Sequence, residues 1–260
     1  KMVEEARSLI RQGDMFQCVL SQRFSAEYSG RPLDYYRNLR VTNPSNYLYF
    51  YDFGDYQIIG ASPESLVSVK QGQVTTNPIA GTRPRGKDER EDKALAEELL
   101  ADEKEVAEHR MLVDLGRNDI GKIAQNNSVE VTKYMEVEYF RYVMHLTSVV
   151  RGQLLPQLTA MDALKSTLPA GTVSGAPKIR AMKRIYELEQ EKRGVYAGAI
   201  GYLSATGDMD FAIAIRTMVL KNGRAYVQAG AGIVYDSIPT NEYQETINKA
   251  KSMTKIGEMQ

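Results

Sequence analysis

The segment Lys104–Asn118, KEVAEHRMLVDLGRN, constrains the fold of this chain more than any other stretch. It contains no proline, good helix formers dominate it, and its apolar residues recur at helical spacing: Val106, Leu112 and Leu115. We therefore predict a helix here. On that helix Glu105 and Glu108 are three residues apart, so both carboxylates project from one face.

A second segment, Pro239–Met253, repeats this arrangement with Glu242, Glu245 and Lys249 at spacings of three and four. Two helices that each offer paired carboxylates could together hold a hard dication such as Mg²⁺, which binds a few carboxylate oxygens and keeps several waters. A glutamate pair beside lysine or arginine is more often a solvated helix face. The pairs alone leave both interpretations open.

The composition is that of a soluble globular protein. Of the 260 residues, 43% are hydrophobic and 25% charged, and 33 basic side chains balance 33 acidic ones. This balance indicates neither nucleic acid nor an acidic membrane surface as a partner. No run of about 18 apolar residues and no signal-peptide pattern indicates a membrane or export. The single cysteine, Cys18, lies in a predicted buried strand and fits a reducing cytoplasm.

Short strands bounded by turn residues alternate with amphipathic helices. Helices are predicted at 1–11, 32–41, 88–101, 104–124, 160–167, 176–191 and 239–253. Strands are predicted at 16–28, 46–53, 56–61, 66–70, 74–76, 128–131, 142–150, 198–203, 210–220 and 224–228. Strands in hairpin order with inserted helices predict an α+β fold dominated by antiparallel sheet. We predict one domain over residues 1–260, and because Lys1 opens the chain within a helix, we expect it to be part of a longer protein.

Three glycine-rich stretches are interpreted as loops that a ligand can approach closely. They are Asn77–Gly86 (NPIAGTRPRG), Leu168–Lys178 (LPAGTVSGAPK) and Ala229–Gly232 (AGAG). The second precedes a predicted helix, whose N-terminal N–H groups could receive an anion. Most glycines simply serve turns, so each stretch alone is weak evidence of a site.

The predicted strand 210–218 carries an arginine among small residues. One face is apolar: Phe211, Ile213 and Ile215; the other is Asp210, Ala212, Ala214 and Arg216. Because two alanines leave space beside it, we interpret Arg216 as a fork for a carboxylate, although a lone strand arginine is usually solvated. His145 titrates where general acids work, although a strand histidine is more often structural. Glu64, in GASPES, would alone pass as a surface residue.

Longer motifs carry a resemblance to a known family. PIAGTRPRG, EHRMLVDLGRND, LPAGTVSGAPK, GYLS, DFAIAIRT and AGAGIV, followed by Glu245, resemble in that order the chorismate-utilising enzymes, from about Gly13 to Met253. That family comprises anthranilate, aminodeoxychorismate, isochorismate and salicylate synthases. The resemblance implies the chorismate-binding fold, in which two facing, largely antiparallel sheets carry outer helices. It also implies that this chain is the C-terminal, chorismate-binding part of a larger subunit.

The resemblance implies a Mg²⁺ site built from the four glutamates. Glu108 and Glu245 resemble the direct ligands of the family, and Glu105 and Glu242 those that act through water. The ion would neutralise and orient the ring carboxylate of chorismate.

Further positions resemble the family's substrate contacts. Those that resemble binders of the enolpyruvyl carboxylate are Tyr196, Arg216 and the backbone N–H groups of Gly230, Ala231 and Gly232. Lys249 resembles a second charge on the ring carboxylate, and Gly81 and Thr82 resemble further chorismate contacts. The implied catalytic set is Glu64, which protonates the departing ring hydroxyl, His145, which assists ring chemistry and pyruvate loss, and Thr172, which contacts chorismate.

Two positions distinguish the nucleophile within the family. Aminodeoxychorismate synthases commonly carry a nucleophilic lysine where this chain has Ala80, and isochorismate and salicylate synthases a basic lysine where it has Gln17. Neither replacement can attack the ring or activate water. Ammonia is then the nucleophile, pyruvate is eliminated, and the product is anthranilate, from which tryptophan is made.

The ammonia requires a partner. No Cys–His or Ser–His arrangement for glutamine hydrolysis is evident, so we predict a separate glutamine amidotransferase subunit in a hetero-oligomer. Two alternatives stay open: an aminodeoxychorismate or aminodeoxyisochorismate synthase, and a non-catalytic module that binds chorismate. The intact glutamates, Arg216 and His145 argue against the module.

Overall fold

The computed structural model describes residues 1–254. Its helices are α1 (Met2–Arg11), α2 (Pro32–Thr42), α3 (Glu89–Ala101), α4 (Glu103–Gly121), α5 (Ala160–Thr167), α6 (Lys178–Leu188) and α7 (Pro239–Thr254), with a 3₁₀ helix at Gly171–Val173. Its strands are β1 (Gln17–Glu27), β2 (Tyr47–Asp52), β3 (Tyr56–Ser62), β4 (Ser65–Lys70), β5 (Gln73–Thr76), β6 (Ile79–Pro84), β7 (Glu130–Tyr139), β8 (Val143–Gln153), β9 (Gly175–Ala176), β10 (Ala199–Leu203), β11 (Met209–Ile213), β12 (Thr217–Lys221) and β13 (Arg224–Ile233).

A side-chain cap fixes the start of α4. Asp102 accepts hydrogen bonds from the backbone N–H groups of Lys104 and Glu105, which have no acceptor within the helix itself. The cap determines where the helical turn begins, and so the face from which Glu105 and Glu108 project.

By its internal contacts the chain divides into two compact units. Unit 1 comprises residues 1–64, 169–200 and 212–260, and unit 2 comprises residues 65–168 and 201–211. The single domain predicted over residues 1–260 stays a prediction, and its positions 255–260 lie outside the described residues.

Unit 1 is built on a six-stranded sheet in the order β2-β3-β12-β13-β1-β9. Every neighbouring pair in it is antiparallel. One apolar cluster joins α2 and α7 to β3, β12 and β13, with Leu39, Ile59 and Met218 at zero exposure. A second joins α1 and α6 to β1 around Ala6 and Cys18. Burial of each large apolar side chain contributes about 1.5–3 kcal/mol, so these clusters hold the helices on the sheet.

Unit 2 contains most of the second sheet, whose order is β10-β11-β4-β5-β8-β6, with β7 also paired to β8. The pairs β4–β5, β5–β8, β6–β8 and β7–β8 are antiparallel. Ala96 and Leu99 of α3 pack with Met144 and Leu146 of β8, and α4 packs against β6 and β8. The sequence prediction of an α+β fold with antiparallel sheets is confirmed, and each predicted helix is present.

The prediction is wrong at the first glycine-rich stretch, which forms strand β6 and not a loop. β6 pairs with β8, and a bulge shifts the register between Ala80 and Thr82. Gly81 sits in that bulge with φ +77°, a conformation that glycine adopts without strain. Glycine here bends a strand instead of ending it. β7 is also longer than the predicted 128–131, because register shifts along it interrupt the alternation that sequence patterns detect.

The predicted strand 210–220 is two strands, β11 and β12. Arg216 has φ +49°, which an extended strand cannot contain, and it separates the two. The predicted alternation of faces is therefore wrong, since Ala212, Ile213 and Ala214 are all buried.

Two further boundaries differ from the prediction. The AGAG stretch lies inside β13, where Ala229 and Gly232 pair with Gln22 and Val19 of β1, so it is a strand and not a loop. Helix α6 begins after Pro177, since Ala176 is held in β9 by its pairing with Gln17. Both differences arise from pairing with β1, which is distant in sequence.

The predicted burial of Cys18 is confirmed. Its side chain has zero exposure, and burial raises the pKa of the thiol to about 12, so it is not a reactive thiolate. Across residues 1–254 no helix has the length and apolar character needed to cross a membrane.

Candidate functional site

A carboxylic acid with an unusual pKa lies in unit 1. Glu64 follows β3, and its Oε1 accepts a hydrogen bond of 2.8 Å from the Thr172 hydroxyl in the 3₁₀ helix. Burial raises the pKa of Glu64 to about 7, while Thr172 and the charges of Lys249 and Arg216 act in the lowering direction. Glu64 can therefore hold a proton near neutral pH and give it away, as a general acid must.

Arg216 occupies the break between β11 and β12. Its Nη1 donates to the carbonyl oxygen of Lys249 at 3.0 Å and to Ser252 Oγ at 3.2 Å, both on α7. Its own carbonyl accepts a hydrogen bond from Ala61 N of β3. These bonds to two elements hold the left-handed backbone of Arg216 and direct its guanidinium along α7.

The same break opens one side of β13. Along β13, the pairing with β12 ends at Val227, which lies opposite Met218, whereas the pairing with β1 continues to Ile233. Among the described residues, 228–233 therefore have a ladder partner on the β1 side alone. The predicted anion contacts Gly230, Ala231 and Gly232 lie in this half-paired part of the strand, where backbone groups can face a ligand.

Lys249 connects α7 to that strand. Its Nζ donates to the carbonyl oxygen of Gly230 at 2.9 Å and lies 2.5 Å from Glu245 Oε1. A cleft of about 450 Å³ is lined by Arg216, Glu245 and Lys249, together with three amides of α7: Asn241, Gln244 and Asn248. The cleft therefore presents two positively charged side chains that can bind an anion and one carboxylate that can bind a cation.

Tyr196 lies against the same strand. A Cβ placed on Gly230 would be 2.5 Å from Tyr196 Oη, so only glycine permits this approach. Burial raises the pKa of Tyr196 to about 12, although Arg193 and Arg216 act to lower it. The phenol is therefore a neutral hydroxyl, which can donate to a carboxylate.

In unit 2, His145 of β8 and the β6 bulge form one cluster. His145 Nδ1 lies 2.9 Å from Thr82 Oγ1 and 3.1 Å from the carbonyl oxygen of Gly81. Phe140 contacts the ring edge to face at a centroid distance of 5.4 Å. Burial lowers the pKa of His145, and the Gly81 carbonyl partly opposes this. Because a carbonyl oxygen can only accept, a hydrogen bond to Gly81 requires the proton on Nδ1, which leaves Nε2 as the acceptor nitrogen of the neutral ring.

The glutamate pair of α4 lies beside this bulge. A Cβ on Gly81 would be 3.3 Å from Glu105 Oε2, and Arg83 Nη1 of β6 is 3.7 Å from Glu105 Oε1. Burial, followed by the charges of Glu108 and Asp102, raises the pKa of Glu105 against the opposing effect of Arg83. The repulsion between Glu105 and Glu108 is unfavourable in the absence of a cation.

The predicted Mg²⁺ site stays a prediction, although each glutamate pair by itself offers oxygen donors that suit a dication. Within residues 1–254, no group of three or more His, Cys, Asp and Glu side chains is arranged to hold a metal. Each helix nevertheless presents a pair of carboxylates three residues apart, Glu105 and Glu108 on α4 and Glu242 and Glu245 on α7. Carboxylate oxygens are the ligands that a hard cation prefers.

The predicted residues are thus divided between the two units. Unit 1 holds Glu64, Thr172, Tyr196, Arg216, Gly230, Ala231, Gly232, Glu242, Glu245 and Lys249. Unit 2 holds Gly81, Thr82, Glu105, Glu108 and His145.

Two groups of supporting residues were missed by the sequence analysis. In unit 1, Glu189 and Arg193 form a bidentate ion pair with most of both side chains buried. In unit 2, Arg83 joins the Asp102 cap to Glu105. The spacing of four between Glu189 and Arg193 is a weak signal, because α6 ends before them and their other contacts come from distant segments.

A family model described as chorismate binding enzyme matches residues 1–255. The chain therefore belongs to the chorismate binding enzyme family.

Individual relatives agree with this membership. Anthranilate synthase component 1 of Lactococcus lactis subsp. lactis (strain IL1403) is 64% identical over 256 residues, which cover 98% of this chain and 56% of that protein. The crystal structure of anthranilate synthase component I from Streptococcus pneumoniae TIGR4 is 83% identical with a TM-score of 0.92, over 97% of this chain and 56% of that one.

A more distant solved structure shares the fold. MenF, the menaquinone-specific isochorismate synthase from Escherichia coli, is 27% identical with a TM-score of 0.88, over 98% of this chain and 59% of that one. The chain thus spans somewhat more than half the length of these three proteins.

Proposed function

We propose that this chain carries out the anthranilate synthase reaction on chorismate. Ammonia forms a C–N bond to the ring, the ring hydroxyl leaves as water, and elimination of the enolpyruvyl group as pyruvate gives the aromatic amine. Chorismate plus ammonia thus becomes anthranilate, pyruvate and water, and no oxidant or reductant is needed. The identity to two proteins named anthranilate synthase component 1 or I supports this choice.

The observation that carries the proposal is the burial of the Glu64 carboxyl against the Thr172 hydroxyl, which leaves its pKa near neutrality. A hydroxyl group leaves readily only if it receives a proton, and the pKa of Glu64, about 7, makes its carboxyl a donor at neutral pH. Thr172 holds one carboxyl oxygen at 2.8 Å, which orients the acid.

The groups around Glu64 suit a substrate that carries carboxylates. Arg216 offers a planar fork that matches a carboxylate, and Tyr196 offers a neutral hydroxyl donor. Lys249, fixed by the Gly230 carbonyl, adds a second positive charge. We assign Arg216 and Tyr196 to the enolpyruvyl carboxylate and Lys249 to the ring carboxylate.

We assign the four glutamates to Mg²⁺. When bound, this ion would supply positive charge that neutralises and orients the ring carboxylate. Glu108 and Glu245 would be its direct ligands, and Glu105 and Glu242 would act through water.

The assignment of ammonia as nucleophile rests on what the chain lacks at two positions. Ala80 in β6 has no reactive group, and Gln17 in β1 is neutral and buried. In this proposal a separate glutamine amidotransferase subunit supplies the ammonia and forms a hetero-oligomer with the full-length protein in the cytoplasm.

Product identification tests the proposal. The purified chain is incubated with chorismate, Mg²⁺ and an ammonium salt, and products are separated and identified by mass. We expect anthranilate and pyruvate in equal amounts, and none from Glu64→Gln. An aminated ring that keeps the enolpyruvyl group, isochorismate as the main product, or chorismate binding measured by calorimetry without turnover would each overturn it.

A further inference from the structure

We propose that Arg193 is a positioning residue that holds Thr172 and Tyr196 in the geometry needed by the reaction. The expected effect on the reaction rests on the proposed function, whereas the positioning of Thr172 and Tyr196 rests on the contacts of Arg193. Arg193 donates no hydrogen bond to a group that we assign to chorismate binding, so it acts through its neighbours.

The guanidinium of Arg193 joins three separate segments of unit 1. Its Nη1 donates to the carbonyl oxygen of Val173 at 2.6 Å, and its Nη2 to that of Val19 at 2.7 Å. Its Nε and Nη2 donate to the two carboxylate oxygens of Glu189 at 2.9 and 2.7 Å. The plane of a guanidinium directs its N–H groups to several acceptors at once, which a single ammonium group cannot reproduce.

Glu189 is itself fixed to the sheet. Its Oε1 accepts hydrogen bonds of 2.8 Å from both the backbone N–H and the hydroxyl of Ser21 in β1. Gln228 of β13 donates to the same hydroxyl at 2.8 Å. The side chains of Arg193 and Glu189 are only 16% and 6% exposed, so removal of either partner leaves a charge with little water around it.

Thr172 depends on this network through its neighbour Val173. Arg193 holds the Val173 carbonyl, while Val19 N donates to the carbonyl oxygen of Ser174 at 2.9 Å. The end of the 3₁₀ helix is thus attached to Val19 of β1 in two ways, through Arg193 at Val173 and directly at the following residue, Ser174. A three-residue helix has little stability of its own, so these bonds set where the Thr172 hydroxyl meets Glu64.

Tyr196 depends on Arg193 through its ring. The Arg193 Cζ lies over the ring at 5.4 Å from its centroid, while Gly230 limits the position of the hydroxyl on the other side. Residues 194–197 turn sharply, with positive φ at Gly194 and Ala197. The contacts with Arg193 and Gly230 therefore limit where the Tyr196 ring can lie at this turn.

The test compares Arg193→Lys with Arg184→Lys. Arg184 lies on α6 and binds the Asp14 carboxylate, so it is a matched loss of an arginine ion pair in the same unit. Arg193→Lys should lower kcat/KM for chorismate by about ten- to a hundredfold, with a higher KM, because small displacements of substrate-contacting groups have effects of this size. Arg184→Lys should lower the melting temperature and leave KM unchanged.

The pH profile separates positioning from stability. Thr172 lowers the pKa of Glu64, so its displacement raises that pKa and moves the alkaline decline of kcat to higher pH. Lys249, Arg216 and Tyr196 are the other charged or titratable groups that act on this carboxyl, and neither variant replaces them. The ionisation of ammonia affects the parent and the variant equally, so it drops out of the ratio of their rates. A ratio of variant to parent rate that rises with pH for Arg193→Lys therefore supports the inference.

Amide hydrogen exchange without substrate makes the test independent of activity. Exchange should accelerate at residues 172–174 and 195–197 in Arg193→Lys and in the milder Glu189→Gln, but not in Arg184→Lys. Unchanged KM, pH profile and exchange in a folded Arg193 or Glu189 variant would overturn the inference. If the parent chain makes no anthranilate, the proposed function fails while the exchange data still decide whether Arg193 holds these two segments.

Discussion

The Thr172 hydroxyl donates a hydrogen bond of 2.8 Å to Glu64 Oε1, although the two residues are 108 positions apart in the chain. Burial pushes the pKa of this carboxyl up and the hydroxyl pulls it down, and the outcome is about 7. A catalytic acid works best with a pKa near the pH at which it operates. In the proposed reaction this pair would set the pH range in which Glu64 can donate a proton.

The first prediction concerns the pH dependence of the reaction. Glu64 must be protonated to act, and since its pKa is raised to about 7, the protonated fraction falls as pH rises through that value. With free ammonia held constant by adjustment of the ammonium salt, the rate should fall as pH rises above about 7. At constant total ammonium the growing free-base fraction offsets this decline, and the profile should rise and then flatten.

Thr172→Val is the matched variant for that prediction. It keeps the shape of the side chain and removes the hydrogen bond that lowers the Glu64 pKa, so the alkaline decline should move to higher pH. Initial rates at fixed free ammonia measure this. A parent profile without a decline near neutral pH, or one that Thr172→Val does not move, would show that another group is the acid.

Arg216 should contribute more to chorismate binding than its charge alone explains. Loss of one charge-assisted bidentate contact costs about 1.5–3 kcal/mol, or roughly one to two powers of ten in affinity. Arg216→Lys keeps the charge but not the planar fork, so it should recover little of the loss seen in Arg216→Ala. Calorimetric titration with chorismate measures both, and parental affinity in the lysine variant would contradict the bidentate contact.

The parts of this protein that are set locally could be predicted from its sequence. Glu105 and Glu108 share a face of α4 because helical spacing alone decides it, and the same holds for Glu242 and Glu245 on α7. The helices and the antiparallel class of the sheets follow from periodicity and turn residues in the same way.

The parts set by distant segments could not be predicted. Arg216 has a positive φ at a point where β3 binds its backbone and α7 binds its side chain, and no spacing in DFAIAIRT indicates this. Ala229–Gly232 has the composition of a loop, but β1 holds it as a strand. The residues that Arg193 binds in β1 and the 3₁₀ helix are 174 and 20 positions away, beyond the range of any local pattern.

The third prediction concerns the dication. Glu108→Gln and Glu245→Gln should each abolish turnover while the melting temperature stays near that of the parent, because both side chains are at least partly exposed and the change is isosteric. Chelation of the metal should stop the parent reaction, and added Mg²⁺ should restore it. Glu103→Gln is the control, an exposed glutamate on α4. Near-normal turnover at low Mg²⁺ in either test variant would show that these residues are not its ligands.

The fourth prediction uses the close approach of Gly230 and Tyr196. Gly230→Ala places a methyl group within 2.5 Å of Tyr196 Oη, so it should lower the free energy of unfolding by about 1–3 kcal/mol and weaken chorismate binding. Tyr196→Phe removes that oxygen. In the Tyr196→Phe variant, Gly230→Ala should therefore lower the free energy of unfolding by less than it does in the parent. Urea unfolding of the parent, the two single variants and the double variant measures this difference. Equal costs in both backgrounds would mean that the phenol does not limit the site.

The last prediction concerns the nucleophile. Gln17 in β1 is buried, and its Nε2 lies within 2.8 Å of where a Cβ on Gly232 would be, so its amide lies against the predicted anion-binding segment of β13. A neutral amide there cannot remove a proton from water, and Ala80 cannot attack the ring. The chain should therefore form anthranilate with ammonium and nothing with glutamine alone, since among residues 1–254 its one cysteine is buried with a pKa of about 12.

Gln17→Lys tests the same point in the opposite direction. An amine in place of the amide supplies a base that can activate water, so this variant should release some isochorismate beside anthranilate, whereas the length-matched Gln17→Met should not. Chromatography of products formed at several ammonium concentrations measures the ratio, which should shift toward anthranilate as ammonium rises because water and ammonia compete for one ring carbon. Glutamine-driven anthranilate from the pure parent chain, or isochorismate as its main product, would show that ammonia is not the nucleophile this site is built to use.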